Sequence, residues 1–266
     1  MTYRKITSIS NPIIKGALKV KERKACRPED FLIEGQHLLE MAVAANTEVR
    51  QIFLTARYRS KNEGFLREVE RQGWDFIETT DHILSKLSDT ETPQGIVAVV
   101  SYSVGGLRAV SLKDQPLIIV CDGIQDPGNL GTIIRTSDAA GAGAVILLPG
   151  TCDAFSPKVI RASAGSVFNI PVLSVDVGIL IKWLHEKGIM IVVTDARMPM
   201  TIYESDLRKP LAFVFGNEAK GVSECLKGHG DLFLGIPILG KAESLNVAAS
   251  AAICLFETVR QRRSQP

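Results

Sequence analysis

The second half of the chain contains a series of continuous apolar runs separated by helix-like segments, and these runs limit the possible folds strongly. Strands that are apolar throughout are buried on both faces of a sheet, whereas alternating strands cover only one face. Strands are predicted at 117–121, 144–148, 189–194, 211–215 and 231–236, and helices at 129–140, 157–164, 176–187 and 245–262. This alternation predicts an α/β fold in which helices cover both faces of a parallel sheet.

The first hundred residues mix helix and strand patterns less regularly. Apolar residues at helical spacing predict a helix within 31–45, and a charged amphipathic pattern predicts another over 62–73, closed by Gly73. Apolar runs predict strands at 49–55 and 95–103. These elements indicate a smaller α/β sandwich in front of the parallel sheet.

The segment 104–116, VGGLRAVSLKDQP, is predicted to be a linker because it has paired glycines, a proline and little apolar periodicity. A boundary at 105–115 gives two domains, 1–105 and 115–266, and a chain of 266 residues is long enough for both. The predicted architecture is therefore a small N-terminal α/β domain joined to a larger parallel-sheet domain.

Composition argues against a membrane-spanning, secreted or metal-binding protein. No apolar run approaches the roughly 20 residues that a membrane-spanning helix needs, and the N-terminus lacks the apolar core of a signal peptide. The five cysteines form no C-x-x-C pair and the four histidines are scattered, which predicts reduced thiols and no metal site. We expect a cytoplasmic protein without a membrane partner.

Positive charge is concentrated near the N-terminus, although the net charge of the whole chain is only +2. Residues 1–27 contain eight lysines and arginines and the single acid Glu22, a local net charge of +7. Such a segment favours contacts with a polyanion. The candidate contacts are Lys19, Lys21, Arg23 and Lys24. A solvated basic tail explains the same charges, so charge alone leaves both interpretations open.

Three loops, 122–129, 216–221 and 236–244, follow predicted strands at the edge where parallel sheets bind their ligands. The first loop fits the dinucleotide pattern G-x-G-x-x-G only at Gly128 and Gly131, and no acid ends the second strand to hold a ribose. An NAD-dependent oxidoreductase is therefore a disfavoured alternative.

The first loop leads into a helix that carries an arginine at its middle. Asn129 is predicted to be the N-cap of this helix. Arg135 lies six residues further, about 9 Å along the axis, and helical side chains lean toward the N-terminus, so its guanidinium can reach the loop. The side of the helix that faces the sheet comprises Leu130, Ile133, Ile134 and Ser137. An ordinary surface arginine is the alternative.

The second and third loops are rich in small residues. Gly216 and Gly221 flank Glu218 in a turn whose glycines let the backbone approach a ligand closely. In the third loop, Ser244 is predicted to be the N-cap of a helix in which residues 248–252 are all alanine or serine. Such small side chains permit another backbone to pack very close to this helix.

Taken together, NLGTIIRT with its leading DPGN, FGNEAKG, and IPILGKAESLNVAASAA resemble the three signature motifs of the SpoU (TrmH-type) RNA ribose methyltransferases, members of the SPOUT superfamily. The motifs occur in the family's order and cover 120–257. The first segment, with FLIEGQHLLEMA and TPQGIVAVV, is similar to the family's N-terminal RNA-binding domain, which has a ribosomal-protein-like α/β fold. The resemblance implies methyl transfer from S-adenosylmethionine to a ribose 2′-hydroxyl of structured RNA, by a homodimer.

The resemblance also implies a deep trefoil knot in the C-terminal domain, made by threading the chain near 236–262 through the loop at about 211–221. The implied cofactor-binding backbone lies around Gly216, Ile236 and Leu245. The implied catalytic residues are Arg135, Asn129, Glu218, Ser244 and Asn246.

Roles for these residues follow from the same resemblance. The family assigns Arg135 as the base, whereas electrostatic stabilisation of the ribose oxygen suits a permanently charged guanidinium better. Asn129 and Glu218 are expected to fix Arg135 and the loop, and Glu218 as a plain loop acid is the alternative. Ser244 and Asn246 are expected to orient the substrate and the knot backbone. Many members read SLNVS in the third motif, whereas this chain has Ala248 after Val247.

A separate N-terminal domain favours ribosomal RNA as the substrate, because a folded recognition domain suits a structured site. Transfer RNA remains an alternative substrate. A catalytically silent, dimeric RNA-binding module is the alternative function, and calorimetry with S-adenosylmethionine distinguishes it from an enzyme.

Overall fold

The computed structural model of the protein describes residues 3–22, 29–70, 73–102, 105–112 and 114–264. The chain forms two compact units, Met1–Ser103 and Val104–Pro266, and each has its own sheet. Two of the candidate RNA contacts, Arg23 and Lys24, lie outside the described residues.

The first unit is built on a mixed five-stranded sheet flanked by helices. In chain order its elements are β1 (Arg4–Ile6), α1 (Pro12–Lys21), β2 (Asp30–Glu34), α2 (Gln36–Ala44), β3 (Glu48–Thr55), α3 (Ala56–Lys61), α4 (Glu63–Glu70), β4 (Asp75–Thr79), α5 (Asp81–Leu87) and β5 (Ile96–Ser101). The strand order is β1-β4-β3-β5-β2, and β5 is antiparallel to both of its neighbours.

The strands predicted at 49–55 and 95–103 are confirmed as β3 and β5. The helix predicted within 31–45 is wrong in its first part, because this part forms β2 and the helix begins only at Gln36. Gly35 separates the two elements with a φ of 96°, in the left-handed region that glycine adopts readily. A break of this kind within a continuous apolar pattern is hard to recognise without the neighbouring strands.

The other differences in this unit concern short or charged elements. The helix predicted over 62–73 is confirmed as α4 over Glu63–Glu70, and residues 71 and 72 lie outside the described residues. Strands β1 and β4 and helices α1, α3 and α5 are absent from the prediction. Helix α1 buries Ile14, Ala17 and Val20 at helical spacing, a pattern that its several lysines obscure.

The second unit is built on a six-stranded sheet in which all neighbouring strands are parallel. In chain order its elements are β6 (Leu117–Asp122), α6 (Pro127–Ala139), β7 (Ala144–Leu147), α7 (Pro157–Ala162), β8 (Val172–Ser174), α8 (Val177–Glu186), β9 (Met190–Thr194), β10 (Leu211–Gly216), α9 (Glu224–Lys227), β11 (Leu232–Leu234) and α10 (Val247–Arg263). The strand order is β11-β9-β10-β6-β7-β8.

The predicted strands of this unit are confirmed as β6, β7, β9, β10 and β11, and the predicted helices as α6, α7, α8 and α10. Strand β8 is missing from the prediction because its three residues are too few to form a recognisable run. The short helix α9 is missing for the same reason. Continuous apolar runs therefore identify the long buried strands of this sheet, as expected for a parallel sheet.

The central strand pair determines which loops meet at the edge of the sheet. Strands β6 and β10 pair in register from Leu117 with Leu211 to Asp122 with Gly216. Their apolar side chains are buried, and each large one contributes about 1.5–3 kcal/mol to stability. The loops that follow Asp122 and Gly216 therefore begin side by side.

Helix α6 lies very close to α7 at Gly131. A Cβ atom on this glycine would lie 2.4 Å from the Cβ of Ala162 and 2.8 Å from the carbonyl oxygen of Val159. The glycine thus permits a backbone approach that no other residue allows, and it fixes the position of the helix that follows the first loop.

Candidate active site

The first loop ends at the cap of helix α6. The carboxylate of Asp126 accepts a hydrogen bond from the backbone N–H of Asn129 at 2.8 Å, and Pro127 occupies the first turn. The prediction that Asn129 is the N-cap is therefore wrong. Asn129 lies within the first helical turn, because proline stabilises a helix start at the residue after Asp126. Its side chain is free to reach another loop.

Glu218 connects the second loop to the first. Its carboxylate accepts hydrogen bonds from the backbone N–H groups of Gln125 and Asp126, both at 3.2 Å, and from Nδ2 of Asn129 at 3.0 Å. Partial burial raises the pKa of the Glu218 carboxyl, but these hydrogen bonds outweigh that effect and hold the pKa below its ordinary value. Glu218 is thus a charged acceptor with three donors and not a plain loop acid.

Asn246 connects the third loop to the same residues. Its Nδ2 donates to Oδ1 of Asn129 at 2.9 Å, and its Oδ1 accepts from the backbone N–H groups of Ala248 and Ala249. Asn246 is therefore the N-cap of α10, and the prediction of Ser244 as the cap is wrong. Asparagine caps helices as well as serine does, and here it lies two residues nearer to the first turn.

These contacts form one hydrogen-bonded series, Glu218–Asn129–Asn246, which we call the amide chain. A carboxylate can only accept, so the amide nitrogen of Asn129 must face Glu218 and its oxygen must face Asn246. Each amide in the series therefore has a single favourable orientation. In the sequence, Asn129 of the first loop is 89 residues from Glu218 and 117 residues from Asn246, and the amide chain joins all three loops.

Arg135 lies on the exposed side of α6. The side of the helix predicted to face the sheet is confirmed, because Leu130, Ile133, Ile134 and Ser137 are fully buried. Among the residues that the structure describes, none forms a hydrogen bond or an ion pair with the Arg135 guanidinium. The expectation that Asn129 and Glu218 fix this side chain is thus corrected, because they bond to each other and to the loop.

The backbone that follows β10 turns back so closely that only glycine fits at position 216. A Cβ atom at this position would lie 2.1 Å from the backbone nitrogen of Val222 and 2.2 Å from the carbonyl carbon of Gly221. The chain returns here because the backbones of Asn217 and Gly221 exchange two hydrogen bonds, of 3.0 and 2.8 Å. The space that a side chain at position 216 would occupy is therefore filled by the protein backbone of Gly221 and Val222.

Asn217 is a site residue to which the sequence assigned no role. Its Nδ2 donates to the carbonyl of Gly123 at 2.7 Å, and its Oδ1 accepts from the N–H groups of Ala219 and Lys220 at 3.0 Å. An asparagine that bonds to the backbone two or three residues later is typical of an Asx turn. The sequence signal that could have identified Asn217 as a site residue is its position directly after a buried strand.

The cofactor-binding candidates lie at the same edge of the sheet. Strands β10 and β11 are parallel and flank β9, so these two strands lie about 10 Å apart. Gly216 ends β10, and Ile236 follows the end of β11 by two residues. In the third loop, Leu239 is 99% exposed and Leu245 is 38% exposed. Exposed apolar side chains beside accessible backbone fit an adenine ring, which needs an apolar wall and main-chain hydrogen bonds. Ser244 is exposed in this loop.

The candidate RNA contacts near the N-terminus differ from one another. Lys19 is exposed on α1. The ammonium group of Lys21 instead donates to the backbone carbonyls of Lys86 and Ser88, at 2.9 Å to Lys86. Lys21 therefore stabilises the fold of its own unit, and the expectation that it serves as a free RNA contact is corrected.

Metal sites and membrane-spanning helices are both absent from the part of the chain that the structure describes. Within this part, no group of three or more His, Cys, Asp or Glu residues is arranged to hold a metal ion. No helix in the same part is long and apolar enough to cross a bilayer.

Comparison with known proteins identifies the same two units. Residues 116–256 match the SpoU rRNA methylase family, and residues 11–98 match the MRM3-like substrate binding domain. A relative from Bacillus subtilis, 23S rRNA (guanosine(2553)-2'-O)-methyltransferase RlmP, is 35% identical over 254 residues, which cover 95% of this chain and 98% of the relative.

Two solved structures are similar over nearly their whole length. The SpoU methyltransferase AviRb from Streptomyces viridochromogenes, in complex with AdoMet, has a TM-score of 0.88 at 29% identity and covers 96% of this chain and 100% of its own. An AdoMet-bound rRNA methyltransferase from Sinorhizobium meliloti has a TM-score of 0.87 at 30% identity and covers 97% and 98%, respectively. With a family match over more than half of its length and these relatives, the chain belongs to the SpoU rRNA methylase family.

Proposed function

We propose that this protein transfers the methyl group of S-adenosylmethionine to a ribose 2′-hydroxyl of ribosomal RNA. The observation that carries the proposal is the amide chain, which joins the three motif loops at one edge of the parallel sheet. The relative from Bacillus subtilis is named for 2′-O-methylation of 23S rRNA, and both similar solved structures contain AdoMet.

The cofactor would be held by backbone around Gly216, Ile236 and Leu245. The apolar side chains of the third loop supply a wall for its adenine, and backbone groups at the strand ends supply hydrogen bonds. When bound, the sulfonium supplies an already activated methyl group. The protein then has to place the ribose oxygen in line with that methyl, and positioning of this kind accounts for much of the rate of such reactions.

Arg135 would act on the RNA by electrostatics. Its guanidinium offers hydrogen-bond donors and no acceptor, which suits stabilisation of negative charge better than removal of a proton. Because it is exposed and has no partner among the described residues, it is free to bind a phosphate and to stabilise negative charge on the 2′-oxygen. The exposed hydroxyl of Ser244 would orient the substrate from the third loop. Asn129, Glu218 and Asn246 would hold the loops in place.

The threading of the C-terminal segment is part of the same proposal. Helix α10 packs on α6 and on β10, and its N-cap, Asn246, is bonded to the first loop. We propose that the chain near 236–262 passes through the loop at about 211–221 to reach this position, which gives a deep trefoil knot. The buried residues Ala248 and Ala251 suit a helix that other backbone surrounds closely.

A homodimer is proposed from the outer surface of α10. Phe256 is 49% exposed there, and Ala249 on the same helix is also exposed. A large aromatic side chain beside small residues forms an apolar surface that a second copy of the chain can cover. Arg135 is exposed on the adjacent helix α6, so a dimer would place it near the interface.

The proposed function predicts that the purified protein binds S-adenosylmethionine and methylates ribosomal RNA. Calorimetry should give a one-site isotherm for the cofactor, and 2′-O-methyl mapping of RNA from cells that lack the protein should show one missing ribosomal site. Cofactor binding with a missing methyl group in transfer RNA instead would identify the alternative substrate. Absence of cofactor binding would favour the alternative function, a catalytically silent RNA-binding module.

We further propose that the unit Met1–Ser103 binds the RNA and that α1 contributes to this. Lys15 and Lys19 are exposed on this helix and have no partner among the described residues. Replacing both by glutamine should weaken RNA binding. The slope of log K against log salt should fall by about 0.7–0.9 for each phosphate that these lysines neutralise in the wild type.

Filter binding at several salt concentrations measures this slope. Lys187→Gln, which replaces an exposed lysine of the other unit, is the control. An unchanged slope for the α1 variant would restore the interpretation of the basic segment as a solvated tail.

A further inference from the structure

In the last turn of α10, at the end of the helix opposite to the amide chain, side chains bind backbone atoms of other segments. Nη1 of Arg262 donates to the carbonyl of Gln115 at 2.8 Å, and Nη2 donates to the carbonyl of Lys209 at 2.9 Å. Longer contacts of 3.4 Å join the same guanidinium to the carbonyls of Leu207 and Pro116. One side chain therefore binds two separate backbone segments.

Gln261 binds one of these segments as well. Its Oε1 accepts from the N–H of Leu207 at 2.9 Å, and its Nε2 donates to the carbonyl of Ser205 at 3.1 Å and to Glu257 at 2.8 Å. We call Arg262 and Gln261 the clasp. Both residues bind main-chain atoms, so their contacts fix the path of the backbone directly.

The segments held by the clasp lead directly into the central strands. Gln115 and Pro116 precede β6, and Leu207 and Lys209 precede β10. The far ends of β6 and β10 carry the loops that the amide chain joins to Asn246. Helix α10 is thus attached at both ends to segments that precede or follow the same pair of strands, over a length of about 24 Å between positions 246 and 262.

The first turns of α10, next to Asn246, are packed through small side chains. The buried residues there are Ala248 and Ala251, which form shallow ridges, whereas Cys254, Leu255, Glu257 and Thr258 are buried from the middle of the helix onward. The bond between Asn246 and Asn129 is 2.9 Å long. A displacement of about 1 Å would take this pair beyond hydrogen-bond distance. The geometry of the amide chain therefore depends on the axial position of α10, and the clasp contacts help to fix that position from the other end of the helix.

We propose that Arg262 and Gln261 are positioning residues for methyl transfer, because the clasp fixes α10 against the starts of β6 and β10 and so holds Asn246 against Asn129. This inference rests on the proposed function for its effect on the rate. The link between the two ends of the helix is a property of the structure and can be measured without activity.

The test compares Arg262→Ala with Arg263→Ala, which removes an exposed charge from the same turn. Two measurements are made on the full chain: the single-turnover methylation rate, and the side-chain amide NMR signals of Asn129 and Asn246. Arg262→Ala should lower the rate roughly tenfold and shift both signals, since small misplacements of reacting groups are costly. Arg263→Ala should change neither. Arg262→Lys keeps the charge but loses the fork, and it should recover part of the rate.

Unchanged NMR signals and rate in Arg262→Ala, with only a lower melting temperature, would overturn the inference and reduce the clasp to a stabilising contact. A lower rate with unchanged signals would overturn it too. If Arg262→Ala does not fold, Arg262→Lys and Gln261→Leu carry the same readouts, and unchanged signals in both would overturn it. If the wild-type chain transfers no methyl, shifted signals still support the positional link, and only the proposed function fails.

Discussion

Replacing Arg135 by alanine should reduce methyl transfer by about 10²–10³-fold, the loss expected when a group that stabilises developing charge is removed. The effect should be confined to the reaction, because the guanidinium is exposed and bonds to no described residue. The melting temperature and the affinity for S-adenosylmethionine should therefore stay close to those of the wild type. Methylation of a ribosomal RNA fragment at saturating cofactor measures the rate, and calorimetry measures cofactor binding.

Arg135→Lys is the matched variant for this prediction. It keeps a positive charge on the same face of α6 but loses the planar fork that binds a phosphate through two hydrogen bonds. Its rate should lie between those of the wild type and the alanine variant. If Arg135→Ala keeps most of its activity, the guanidinium does not act on the reacting ribose and the proposed role is wrong.

Replacing Gly216 by alanine should destabilise the second unit and abolish cofactor binding. The added Cβ would lie 2.1 Å from the backbone nitrogen of Val222, and backbone cannot move aside as a flexible side chain can. We expect a loss of about 3 kcal/mol or more in the free energy of unfolding. For a unit of this size, that corresponds to a melting temperature lower by roughly 6–12 °C.

Thermal denaturation followed by circular dichroism measures the stability of this variant, and calorimetry below its transition measures cofactor affinity. Gly240→Ala is the stability control, because a Cβ at Gly240 meets nothing within 4 Å. A Gly216→Ala protein as stable as Gly240→Ala would show that the return of the chain through Gly221 and Val222 is less rigid than the structure indicates.

The parallel sheet could be predicted from sequence because burial on both faces leaves a local signal. Runs such as Leu117–Asp122 are apolar over nearly their whole length, and no distant residue is needed to recognise them. Strand β8 leaves no such signal, because three residues at the edge of a sheet do not form a run. The break at Gly35 was missed for a related reason, since the apolar pattern continues from strand to helix across it.

The site could be predicted to the level of its loops but not to that of its hydrogen bonds. Parallel strands bring their carboxyl ends to one edge, so the meeting of the three loops follows from the strand assignment. The caps were misplaced because Asp126 and Asn129, like Ser244 and Asn246, are all capable of capping a helix. Only distances between loops far apart in the sequence decide that Asn129 bonds to Glu218 and Asn246.

The pairing of β6 with β10 has a consequence for the order in which the protein is made. The two strands are adjacent in the sheet, but residue 122 leaves the ribosome long before residue 216 is synthesised. At about 5–20 residues per second, β6 waits for several seconds with an unpaired edge, during which it is exposed to aggregation and to chaperones. Asn246 is synthesised later still, so the amide chain can form only after residue 246 has left the ribosome.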